Sequence, residues 1–512
     1  MQKRMTLSAA LVLGGCGSHS MEAAPDSAAG SADAATAIDA AGSGTPCWPY
    51  DQPSLATLHA SPHKVFAHYF APFPISIDNK PAATDYYTTQ FLAPDGEGGK
   101  HLAYGGYLRE RPLPQTPWPT GVDFDAANLA IEIQRASAIG LDGFTFDLLS
   151  VTPTQPNWKR LVEILAAIPN VAPDFRVQLV FDMTAAAFGG AGGTDQTASD
   201  GIITTLAAVG SDPSMLRTAD GKIVVSAFAA DARSAAFWNG VLQSAATAGY
   251  DLALIPMPVG GWNPASFTGV PLYGASSWGG RTVAYATGLQ NVPTQVHGEN
   301  LLWMGPVAPQ DSRPKDFNFT EANNSAAFRA QWDATIAGGA DWVQLITWND
   351  YSEDSEISPS SQTQDAFYDL SGYYTAWFKT GAQPPIVRDA LYYFHRAHSM
   401  DPAVAPPDLT KQTMAFTAAN GSTMANNIEV VGFLTAPGTL EIDVGGSIQT
   451  LDVPGGIQAF TIPLAEGTPT FKLVRDGSTV VTLTSATAID NTITYQDPLY
   501  HAGESLTCTP PD

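Results

Sequence analysis

Cysteine is nearly missing from this chain: Cys16, Cys47 and Cys508 are all it has in 512 residues. So few thiols exclude a scaffold stapled by many disulfides, and no Cys/His spacing of a metal site occurs. Positive charge is scarce as well, with 24 Lys and Arg against 49 Asp and Glu and a formal net charge of -25. A field of that sign repels phosphate backbones and anionic lipid, so nucleic acid is not expected as a partner and a neutral substrate is. A Gly-rich phosphate loop and a calcium loop of known spacing are both lacking, so neither a cofactor nor a metal is expected. No internal repeat is present, and beyond the first residues no run of about 18 apolar residues could cross a membrane as a helix.

The leader carries Lys3 and Arg4, the apolar stretch Leu7 to Leu13, and then Gly14-Gly15-Cys16. This pattern reads as a short signal peptide. Leu13-Gly14-Gly15-Cys16 resembles the bacterial lipobox, which would make Cys16 the acylated first residue of an exported outer-membrane or cell-surface lipoprotein, or an extracellular one, touching membrane only through its lipid. Residues 17–46 are mostly Ala, Ser, Gly, Asp and Thr, too poor in bulky apolar groups for a core, and read as a tether. Cys47 and Cys508 then stand near the two ends of the folded part. In an oxidising compartment they are a disulfide candidate, and two free thiols are the equal alternative.

From Lys64 onward short apolar runs alternate with helical stripes. The runs expected as strands are Val65 to Phe70, Gly143 to Leu149, Arg176 to Met183, Ile223 to Phe228, Leu252 to Val259, Leu272 to Trp278, Leu301 to Val307 and Trp342 to Trp348. Helical spacing links Leu129, Ile133 and Ala136 ahead of Gly140, and Leu161, Leu165 and Ile168 ahead of Pro169. It recurs in Phe237, Val241 and Ala245, and again in Phe328, Trp332 and Ile336. Eight strand–helix units predict an α/β chain folded as a (β/α)8 TIM barrel over residues 47–400, distorted at its poorly marked fifth and sixth helices. Residues 71–121, without periodicity, follow the first strand and should form a wall or lid on the barrel's C-terminal face. After the Pro-rich stretch Asp401 to Pro407, period-2 runs such as Thr439 to Val444 and Phe471 to Arg475 predict a small antiparallel β-sandwich over 401–512.

Strand ends of a parallel barrel converge on one mouth, so the candidate site residues are His68, Tyr69, Asp147, Asp182 and Trp278. To these are added Trp348, Asn349, Asp350, Tyr351 and Glu353 after the eighth strand. Carboxyls and aromatics gathered without metal ligands suit glycosidic hydrolysis, in which one acid protonates the leaving oxygen, a second carboxylate acts as nucleophile or activates water, and rings stack on sugars. Trp262 and Trp303 are expected to be ordinary packing, and Asn323-Asn324 a loop cap. Asp142 precedes its strand and is expected at the barrel bottom in a structural role.

The segments Lys64 to Tyr69, Gly140 to Phe144, Val180 to Met183 and Thr347 to Glu353 resemble, in order, the motifs of the alpha-1,3-glucanase (mutanase) family, glycoside hydrolase family 71. So do Tyr374 to Gly381 and Tyr392 to Arg396. The resemblance implies an inverting hydrolase of alpha-1,3-glucosidic bonds that uses Asp350 and Glu353, with Glu353 as general acid and Asp350 as general base. It also implies a polysaccharide partner; the C-terminal β domain resembles one that the family carries and is expected to pack against the barrel, with carbohydrate binding as the alternative, and a monomer is expected. The chain departs from the family pattern at Ser352, where Gly is usual, at Asp354-Ser355-Glu356, and at Asp147, where Asn is usual. Those changes leave open a hydrolase of another α-linked polysaccharide, and a barrel that binds glycan without cleaving it is the reading the two retained acids oppose.

Extended chain would carry Asp350 and Glu353 about 10 Å apart on opposite sides, whereas an inverting pair needs about 6.5–9.5 Å between carboxyls. A turn at Tyr351-Ser352 is therefore predicted.

Overall fold

The computed structural model describes residues 48–106, 109–190, 192–419 and 422–506. The lipidation candidate Cys16, the tether and the disulfide candidates Cys47 and Cys508 lie outside them. Among the described residues no helix is long and apolar enough to cross a membrane.

All eight expected runs form parallel strands, and each pairs with its sequence neighbour around a ring except the fifth with the sixth. The strands are Lys64–Tyr69, Gly143–Leu148, Arg176–Asp182, Ile223–Phe228, Leu252–Met257, Gly274–Ala275, Leu302–Val307 and Trp342–Leu345, the last returning beside the first. Between the fifth and sixth strands closure is one-sided. Tyr273, Ser276 and Trp278 donate their N–H groups to the carbonyls of Leu254, Pro256 and Pro258 at 3.0, 3.1 and 3.0 Å. The prolines have no N–H to return, which is why the sixth strand keeps only Gly274 and Ala275 of the predicted run in its ladder.

Helices cover the outside of the ring. Phe124–Ala138 begins where the Asp123 carboxylate accepts the Ala126 N–H, buries Leu129, Ile133 and Ala136, and gives way to Gly140 at φ 82°. Pro156–Val171 runs past Pro169 instead of stopping there. Pro169 removes one donor in the last turn, and the helix continues to the Ala172 N–H bonded to Ile168. Asp195–Val209, Ala235–Thr247, Ala326–Gly338 and Ala366–Thr380 follow as regular helices. The distortion falls where expected: the fifth and sixth strands are joined through the 3-10 turn Pro264–Phe267, and the sixth and seventh through the short helices Val283–Leu289 and Val292–Gly298.

The described residues of 71–121 form the expected wall. It is pinned where Leu113 bonds Pro359, Ser361 bonds Arg111, and Arg111 pairs with Asp85 beneath Tyr87. At the barrel bottom Asp142 accepts the Val65 N–H at 2.8 Å and binds Lys379 at 2.7 Å and Lys64 at 3.3 Å, the structural role anticipated for it.

The C-terminal unit is a sandwich of two four-stranded antiparallel sheets. One sheet orders Gly456–Pro463, Asn427–Leu434, Ala390–His395 and His501–Glu504; the other orders Ser447–Val453, Gly438–Val444, Thr470–Arg475 and Ser478–Thr484. Ala390–His395 lies ahead of the expected boundary at 401, because period-2 alternation lets it serve two cores. Leu391 and Tyr393 face the sandwich interior with Ile428, Val430 and Phe471, while Tyr392 and Phe394 join the barrel's core with Phe433 and Ala502. Beyond the Pro-rich stretch Asp401 to Pro407, Thr417–Ala418 pairs with Asn318–Thr320 in the loop after the seventh barrel strand.

Candidate active site

The loop after the eighth strand turns at the predicted place. Ser355 N–H bonds the Asp350 carbonyl at 3.2 Å, Asp354 takes φ 50°, and the bend spans Tyr351 to Asp354. Asp350 (6 % exposed) is held by its neighbours, its Oδ1 accepting the Ser352 N–H at 3.1 Å and the Ser352 hydroxyl at 2.6 Å. Ser352, the departure from the resembled motif, is thus a direct partner of the acid. The Glu353 side chain keeps 20 % of its surface exposed and accepts from Arg313 Nη2 at 2.7 Å.

Arg313 organises the rim. It stands on Asp311–Arg313, a strand in the loop after the seventh barrel strand, and also binds Asp311 through Nε at 3.1 Å and Nη2 at 3.0 Å. Arg281 approaches Asp311 at 3.8 Å and lies 5.5 Å from the Trp278 ring. Neither arginine, nor Asp311, was expected as a site residue. Their only signal is position in loops that follow strands, since the contact from Arg313 to Glu353 spans 40 residues.

Burial pushes the Glu353 carboxyl up to about 8; Arg313 opposes this, and the charges of Asp350 and Asp311 reinforce it. Asp350 is also raised by burial, but Ser352 and Arg313 pull it back. Asp147 is raised by burial and by Asp182 and Asp350, and Asp182 by burial against the bonds that Thr184 donates to it at 2.7 Å. One rim therefore carries a glutamic acid raised to about 8 beside an aspartate whose rise the Ser352 hydrogen bonds and the Arg313 charge oppose.

His68, Asp147, Asp182 and Trp278 come to this mouth, with the His68 and Trp278 rings edge to face at 4.9 Å. Four other candidates do not. Tyr69 follows His68 and so points outward by alternation; it is fully buried on Phe146 and donates to Glu132 at 2.8 Å. Trp348 is fully buried against Phe144, and Tyr351 packs with Phe73 and Tyr87. Asn349 is fully buried, its amide accepting from Phe70 N–H at 2.7 Å and donating to the Phe70 and Phe73 carbonyls at 3.0 Å each. These residues anchor the loop after the eighth strand instead of facing the cleft. Trp303 is packing, as expected, and Asn323 and Asn324 both take left-handed φ values in their loop. Among the described residues no group of His, Cys, Asp and Glu is arranged to hold a metal.

A (β/α)8 barrel whose C-terminal rim sets carboxyls of unequal proton affinity around an arginine defines a class, the glycoside hydrolases. Residues 120–501 match the model of Glycosyl hydrolase family 71. The chain belongs to that family. It is 24% identical over 409 residues to a glucan endo-1,3-alpha-glucosidase of Schizosaccharomyces pombe, covering 74% of this chain and 90% of that protein. A mutanase of Penicillium rubens is 26% identical over 394 residues, covering 70% and 80%. Among solved structures, a family 99 endo-alpha-mannosidase from Bacteroides thetaiotaomicron overlaps 62% of this chain and 98% of its own at 14% identity and TM-score 0.49.

Proposed function

We propose that this glycoside hydrolase cleaves alpha-1,3-glucosidic bonds of glucan with inversion. Glu353 gives its proton to the departing glycosidic oxygen. Asp350 takes a proton from the water that attacks the anomeric carbon from the opposite face. The C1–O bond breaks as the new C1–O bond forms, and both carboxyls exchange protons with solvent to reset. The observation that carries this reading is the difference between the two acids' surroundings: Glu353 is bonded to Arg313 at 2.7 Å and raised by burial to about 8, while Ser352 donates two hydrogen bonds to Asp350 that favour its charged form. The names of the two fungal relatives support glucan as the substrate.

The test is reducing-end release from a panel of α-glucans and other α-linked polysaccharides. Wild type should act on alpha-1,3-glucan, and Asp350→Asn and Glu353→Gln should each lose ~100-fold or more. Full activity of both variants on every polysaccharide would refute the assignment. We further propose that the enzyme is exported and held at a cell surface by a lipid on Cys16, a placement that mass spectrometry of the mature N-terminus tests.

A further inference from the structure

The side chains inside the barrel fall into layers. The lowest is apolar, built from Phe66, Val224, Ala253, Ile255, Met304 and Trp342. Above it Thr145, Gln178, Ser226 and Gln344 are polar and fully buried. Part of that layer serves one ring. The Gln344 amide donates to His68 Nδ1 at 3.2 Å, with the Thr145 hydroxyl 3.5 Å from the same nitrogen. Nδ1 is therefore an acceptor. Burial, with the positive charge of Arg281, lowers the His68 pKa to about 3, so the ring is neutral and its single hydrogen sits on Nε2.

Nε2 faces Asp147 across 3.9 Å, wider than the ~3.2 Å limit of an N–H···O bond. Asp147 Oδ1 has no hydrogen-bond partner although the residue is only 4 % exposed. A donor and an acceptor thus stand beside each other without satisfying each other, both nearly closed to solvent in the free protein, and leaving a buried carboxyl oxygen unpaired is costly. One oxygen within hydrogen-bonding reach of both completes the pair.

We infer that His68 and Asp147 read a single hydroxyl of the sugar ring bound at the point of cleavage, His68 Nε2–H donating to it and Asp147 Oδ1 accepting from it. The pair is a specificity device for a pyranose that keeps that hydroxyl free, and it rests on the glucan-hydrolase reading. An ether, a linkage or a missing oxygen at that position leaves both protein groups unpaired, which is how a buried polar site rejects the wrong ligand.

The experiment uses Glu353→Gln as a parent that holds substrate uncleaved and titrates it calorimetrically with alpha-1,3-linked glucotriose and its monodeoxy analogues. Adding Asp147→Leu should weaken binding by ~10–100-fold. One monodeoxy analogue should bind the parent at least about tenfold more weakly and be indifferent to Asp147→Leu, because the partner hydroxyl is already gone. Asp147→Asn, which keeps the shape, should weaken binding less. Both substitutions should raise the melting temperature of the free protein by removing an unpaired buried acid. Unchanged binding in Asp147→Leu overturns the inference. So do equal losses for every analogue in both backgrounds, or a fall in melting temperature that accompanies the lost affinity. If the parent binds no alpha-1,3-linked sugar, the substrate reading fails separately, and the same cycle on the oligosaccharide that wild type cleaves decides the hydroxyl pair.

Discussion

Replacing Arg313 with Gln probes the rim where its charges are coupled. Arg313 Nη2 stands 2.7 Å from Glu353 Oε2, a separation worth about 6 kcal/mol at an effective dielectric of about 20. The Arg313 side chain is 35 % exposed, so solvent screening reduces this to about 1.5–4 kcal/mol, or about 1–3 pKa units. Arg313 lowers the proton affinity of both Glu353 and Asp350, so its loss raises both. The kcat/KM profile, which reports the free enzyme, should have an alkaline limb near 8 in wild type and about 1–3 units higher in Arg313→Gln. Its acid limb should move up as well, and Arg313→Lys should lie between. Reducing-end assays from pH 3 to 11 measure both limbs. The same substitution deprives buried Asp311 of its nearest cation, leaving Arg281 at 3.8 Å, and should lower stability by about 3 kcal/mol. Limbs that stay in place, or that move down, would refute the reasoning.

Asp142→Asn should lower stability by about 2–4 kcal/mol, because Lys379, whose side chain is fully buried, loses its counter-ion; kcat should be unchanged at the far rim, as denaturant melts and initial rates will show. The pH dependence of stability follows from buried acids raised chiefly by burial: Asp365 to about 6, Glu110 and Glu132 to about 7, and Glu504 to about 8. Their folded forms hold protons more tightly than the unfolded chain does. Their contribution is therefore complete below about pH 4 and is lost as pH rises through 6 to 8, at up to about 1.4 kcal/mol per pH unit for each group. Thermal melts should give a higher midpoint at pH 5 than at pH 8, with a shallower decline in Glu132→Gln; a midpoint that climbs over that range contradicts the sign.

The barrel was legible in the sequence because each strand is a short apolar run bounded by turn residues, and because the stripes of Leu129, Ile133 and Ala136 and of Phe328, Trp332 and Ile336 are true helix faces. The turn at Tyr351 was legible from the needs of two acids three residues apart. What misled was adjacency. Trp348, Asn349 and Tyr351 flank the acids in sequence, yet a tight turn sends them into the protein, where Asn349 ties the loop to Phe70 and Phe73. Tyr69 was readable from strand alternation once His68 was placed inside. Arg313 was not, since its partnership with Glu353 depends on how two barrel loops approach each other.

The proposed chemistry turns on water attacking from the face opposite the leaving group, with Glu353 as acid and Asp350 as base. Proton NMR of the first reducing ends released from an alpha-1,3-glucan oligosaccharide, recorded before mutarotation, measures this directly. The β-anomer appearing first is the result predicted; the α-anomer appearing first would contradict it and make one of these carboxylates a nucleophile.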